Sequence, residues 1–147
     1  MLYSFTFRIH IFISVVTLLS GMIALALAAQ GWARNRRFSR PDGMASLLFT
    51  VALYLQLILG FIIYFTLRTS LDGPFWDVPD TENDASLRFW AIEHIALMIF
   101  ALFLTQMGRI FIRRTNSAIG KFKASLFYNG TSMLLILFSV SMALFFR

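Results

Sequence analysis

The sequence predicts an all-α membrane protein: one domain over residues 1–147, built as a four-transmembrane-helix antiparallel bundle with both termini outside. Three observations predict it. Hydrophobic residues make up 59% of the chain and charged residues 14%, with a mean hydropathy of +0.74. A water-facing domain carries about 25% charged residues, so the polar cover for one is missing. The charges fall between long uncharged runs, and a helix is the open structure that satisfies its own backbone within lipid. Finally, nine of the thirteen Lys and Arg gather in Arg34–Asp42 and Arg109–Lys123, where Asp42 is the one acid. Basic loops are retained on the cytoplasmic side, which fixes the orientation. That segregation also accounts for the net charge of +6 without nucleic acid, and the lack of Cys excludes a disulfide-stapled scaffold.

The first span, about residues 5–31, takes up most of the uncharged run Ile9–Ala33. Lipid does not drive helices together by hydrophobicity, so bundles associate through small and polar side chains. His10, Ser14, Thr17, Gly21, Ala24, Ala28 and Gly31 supply such a seam at alternating spacings of four and three. Ala24-Leu25-Ala26-Leu27-Ala28 offers small-x-small cleavage sites, but the apolar run exceeds a signal core of roughly 7–15 residues and four arginines follow it. The segment is therefore read as a retained span.

The second span, about 45–67, has a weaker seam of Ala45, Phe49, Ala52, Gln56 and Gly60. The third, about 88–109, is interrupted by the ionisable pair Glu93-His94 and carries Ala91, His94, Met98, Ala101, Thr105 and Gly108. The fourth, about 124–146, carries Ser125, Asn129, Ser132, Ile136, Ser139 and Ala143. Asn129-Gly130-Thr131 matches a glycosylation pattern but lies inside this span and is discarded. Each run is about 20 residues or more, which at 1.5 Å per residue crosses roughly 30 Å of hydrocarbon. The connection 68–88 holds Asp72, Asp77, Asp80, Glu82 and Asp84 and faces outside. It reads as a solvated loop, with a basic partner such as a soluble cytochrome, or a cation, as the functional alternative.

Both histidines of the chain lie on seams, His10 in the first span and His94 in the third, each near the outer end. Their levels match best if the first helix begins near Leu2 or Tyr3. Two neutral imidazoles at one level of a bundle core can ligate haem iron from both faces. Ser14, Ala91 and Ala101 leave room for a flat macrocycle, and Arg8 can neutralise a propionate. Interhelical hydrogen bonding accounts for the same histidines without a cofactor. A carboxylate in a span costs on the order of 3 kcal/mol unless paired. Glu93, about 100° round the helix from His94, is accordingly read as a buried half of an ion pair with Arg8 or Arg88. A proton relay is its functional alternative. Gln56 and Asn129 are expected to bridge helices, with Gln106 as a partner, and Trp32, Trp76 and Trp90 to anchor at the interface. No nucleophile–base pair, phosphate-cradling glycine loop or thiol metal motif is present, so any chemistry belongs to a cofactor.

The stretch Leu87-Arg88-Phe89-Trp90-Ala91-Ile92-Glu93-His94-Ile95-Ala96-Leu97-Met98 resembles the Arg-Phe-aromatic-Ala-aliphatic-Glu-His segment of a family of small four-helix bacterial membrane proteins often labelled cytochrome b. Gln56-Leu57-Ile58-Leu59-Gly60 is similar to that family's Gln-x-x-x-Gly stretch, and His10 to its histidine near the N-terminus. Ile11-Phe12-Ile13 stands where the family has an aromatic or arginine-rich pattern. The resemblance implies a bacterial inner membrane, periplasmic termini and haem b. The leading expectation is electron transfer, as a small subunit or partner of a larger respiratory complex or of a quinone, with His10 and His94 as ligands. A cofactor-free accessory subunit and a small proton-coupled transporter using Glu93 are the competing expectations.

Overall fold

A computed structural model describes residues 2–68 and 89–145. It contains α1 (Leu2–Ala33), α2 (Arg40–Arg68), α3 (His94–Arg114) and α4 (Ala118–Phe145), and α3 is preceded by a π-helical turn, Phe89–Glu93. All four helices are long and apolar enough to cross a membrane, and no strand occurs among the described residues. The helices overrun the expected spans because their caps lie beyond the apolar runs. α1 does begin at Leu2, as matching the histidine levels required.

Local chemistry sets the helix ends. α1 stops where Asn35 adopts a left-handed φ of 49°, a conformation that Asn tolerates better than most residues. The Asn35 N–H then donates to Trp32 O and the Arg36 N–H to Gly31 O, both at 3.2 Å, which satisfies carbonyls the helix leaves open. At the start of α2, Asp42 accepts from the Ser39 backbone N–H at 2.8 Å and from its hydroxyl at 2.7 Å. The Asp42 carboxylate thus reaches back over the first turn to bond Ser39, and the turn tolerates Pro41 because a first-turn residue has no helical acceptor for an N–H. Arg36 grips both Asp42 oxygens, at 2.6 and 2.7 Å, and these hydrogen bonds hold its guanidinium above the usual arginine range. Ser117 caps α4 by accepting the Gly120 N–H at 3.0 Å.

The seams expected from spacing form the interior. Thr17, Gly21, Ala24, Ala28 and Gly31 of α1 are buried, as are Ala101, Thr105 and Gly108 of α3 and Ser125, Asn129, Ser132, Ile136 and Ser139 of α4. Phe49 and Ala52 of α2 join them, together with Ser46 and Leu53, which its seam did not include. α1 packs along α2 and α4, and α3 along α4 and α2, so α1 and α3 stand across the bundle from each other. Close approach depends on glycine notches, among them Gly21, where a Cβ would meet the Met133 methyl at 2.2 Å. A Cβ on Gly31 would meet the Phe122 ring at 2.3 Å, and one on Gly108 would meet Tyr128 Cβ at 2.6 Å. Large apolar side chains such as Phe12, Leu19, Phe103, Phe127 and Leu134 cover the outside, the surface a bilayer would solvate.

Candidate functional site

One end of the bundle carries both histidines. His10 projects from α1 toward α2, where its Cε1 lies 3.8 Å from the position a Gly60 Cβ would take. The ring therefore lies at ordinary van der Waals distance from the α2 backbone at Gly60. One turn on, the Ser14 hydroxyl donates to His10 O at 2.8 Å and accepts from Gln56 Nε2 of α2. Gln56 therefore bridges two helices as expected. Two atoms of this cluster, His10 Nδ1 and Gln56 Oε1, are buried without a hydrogen-bond partner. Such groups are rare in folded proteins, because each forfeits its hydration uncompensated.

His94 is the first residue of α3, directly after the π-helical turn, and its partners come from elsewhere. Nδ1 is 2.7 Å from Ser139 Oγ of α4, a hydroxyl with no solvent exposure. With the ring proton on Nδ1 donating to Ser139, Nε2 keeps its lone pair free for another task. The indole of Trp90 meets the imidazole edge-on at 4.7 Å between ring centres. Trp90 is exposed on its other side, in keeping with an interface anchor, while Trp76 lies outside the described residues. His10 lies near the start of α1, beside the far part of α2 at Gly60, and His94 at the start of α3, away from the cleft where the start of α2 meets the end of α3. The two imidazoles thus occupy one end of one interior.

Other expected residues fall differently. Arg8 is exposed, two residues before His10. Glu93 is exposed as well, not buried. The turn that faces His94 toward α4 carries the preceding side chain away from the seam, so a long acid can reach out of the bundle. Glu93 has an interaction of its own, whereas Arg88 and the acidic connection after Arg68 lie outside the described residues. Ser14 is half-buried and Ala101 fully buried; the side chain of Ala91 is not among those described. Gln106 does not meet Gln56 or Asn129. It donates to the Tyr54 hydroxyl at the α2–α3 contact, while Asn129 donates to Ser46 and Ser125, each at 3.1 Å. An amide pairs with what its own level of the bundle offers, and sequence spacing does not reveal levels between helices.

Ser139 and Trp90 as partners of His94, and the unpaired atoms beside Gln56, were not anticipated. A signal for Ser139 existed: it is a seam residue near the outer end of the fourth span. Comparison with protein-family models, curated proteins and solved structures finds no significant match for the chain.

Proposed function

We propose that this chain is a b-type haem protein of the bacterial inner membrane that carries electrons as a small subunit or partner of a larger respiratory complex. His10 and His94 would hold the haem iron, and Arg8 would neutralise a propionate. The observation that carries the reading is the paired state of the two imidazoles. They sit on helices across the bundle from each other, at one end of it, one with Nδ1 held by Ser139 and the other with Nδ1 buried and unpaired. Ligating histidines use Nε2 while the other ring nitrogen is fixed by a hydrogen bond. His94 has that arrangement already. For His10, the unpaired Oε1 of Gln56 in the same cluster is the complementary acceptor. Among the described residues no three imidazole or carboxylate groups gather as a metal cage, so two imidazoles suit a macrocycle that brings its own four donors. When bound, the haem supplies one-electron chemistry between ferric and ferrous iron; the protein holds it, orients it and excludes water.

The topology proposed with it is antiparallel, with periplasmic termini. It is supported by the pairings His94–Ser139, Ala101–Ser132 and Gly108–Tyr128, in which numbers fall on α4 as they rise on α3. It is further supported by the two basic connections at the opposite end. A reduced-minus-oxidised spectrum of the purified protein tests the function. A haem band lost in both His10→Ala and His94→Ala is expected, and colour retained in either variant removes the ligation. A second reading, a cofactor-free accessory subunit, draws on the aromatic outer face with Phe5, Phe12, Phe65, Phe103, Phe127 and Phe138 exposed. It predicts colourless protein that co-purifies with a larger membrane complex.

A further inference from the structure

The opposite end of the bundle holds a cleft of about 240 Å³ between the start of α2, the end of α3 and the start of α4. That is several times the roughly 30 Å³ share of one water. Arg109, Arg113 and Lys121 line it with Ser46, Phe38 and Ile112, and no carboxylate does. Asp42, the described acid at this end, already has its oxygens engaged by Arg36 and Ser39. Arg109 and Arg113 stand one turn apart on α3 and repel each other, so the cleft concentrates positive charge that no carboxylate among the described residues lining it neutralises. Its floor is polar and built: Ser46 is 2% exposed and accepts from Asn129 Nδ2, which leaves its hydroxyl proton to donate elsewhere. Phe38 and Ile112 add apolar wall beside the cations, and Lys121 lies 5.6 Å over the Phe38 ring.

We propose that this cleft binds the phosphate of an anionic phospholipid at the inner leaflet. A guanidinium fork matches phosphate oxygens in a bidentate manner, an ammonium adds a point charge, and a serine hydroxyl fits a third oxygen. The chemistry would suit a free phosphate equally. The apolar wall and the position at a helix end, where headgroups lie and basic pockets between spanning helices hold acidic lipids, favour the lipid.

Native mass spectrometry of the full chain, released from mixed micelles of phosphatidylglycerol and phosphatidylcholine with identical acyl chains, tests the site. The expected result is preferential retention of phosphatidylglycerol, reduced on the order of tenfold by Arg113→Gln with Lys121→Gln. Arg34→Gln with Arg37→Gln removes equal charge outside the cleft and is expected to leave retention unchanged. If the first pair does not fold, Lys121→Gln alone, at a partly exposed position, carries the same comparison with Arg34→Gln. Equal retention of the two lipids, equal loss in both sets of variants, or displacement of the lipid by millimolar inorganic phosphate would each overturn the proposal.

Discussion

The two ends of this bundle are finished to different degrees. At the arginine end, the Asp42 oxygens are satisfied by Arg36 and Ser39, Asn129 ties Ser46 to Ser125, and the fully buried Phe122 ring fills the notch at Gly31. At the histidine end, Ser139 meets one imidazole, yet His10 Nδ1 and Gln56 Oε1 are buried with nothing to bond. Membrane helices gain little from apolar contact with one another, so polar groups decide where a bundle is rigid. The contrast separates an end whose buried acid and amide are bonded, with spare capacity only in its open cationic cleft, from one whose interior keeps a buried imidazole nitrogen and an amide oxygen unbonded.

The sharpest way to break that contrast is His10→Leu. It is expected to abolish the haem band altogether while leaving the stability of the colourless protein unchanged or slightly raised, because it removes a buried group that has no partner. A marked drop in unfolding midpoint would show that the two ends are not different in kind. Gly31→Leu acts on the arginine end. Its side chain would run into the Phe122 ring, and overpacking of this type costs about 1–3 kcal/mol, measurable by denaturant titration in micelles. Ser139→Ala sharpens the histidine side. Under the proposed ligation, loss of the hydroxyl that holds His94 Nδ1 is expected to weaken haem affinity about tenfold, read by titration of apo-protein. Gln106→Leu replaces a group bonded to Tyr54 on the periphery and is expected to shift stability by less than about 0.5 kcal/mol.

Much of the architecture was legible in the amino-acid order. Seams spaced four and three became the interior of α1, α3 and α4, since lipid selects for small and polar residues where helices touch. The start of α1 followed from asking His10 and His94 to share a level. Three things went unread. The cap at Ser39 and Asp42 was visible as a serine three residues before an acid, but Asp42 had been read as charge alone. The π-helical turn before His94 has no periodic signature in a stretch where every residue is compatible with a helix. The choice of partner, Gln106 for Tyr54 and His94 for Ser139, depends on the vertical offset between helices, which spacing within one helix does not encode. Glu93 belongs with these: its exposure follows from how the turn delivers it, and a hydropathy window sees only a carboxylate among apolar residues.

The Phe122 ring in its notch has a mechanical consequence. A flat aromatic group seated against bare backbone blocks α4 from sliding along α1, because translation in either direction drives the ring into a neighbouring turn. The Met133 methyl seated against Gly21 repeats the lock further along the same pair of helices.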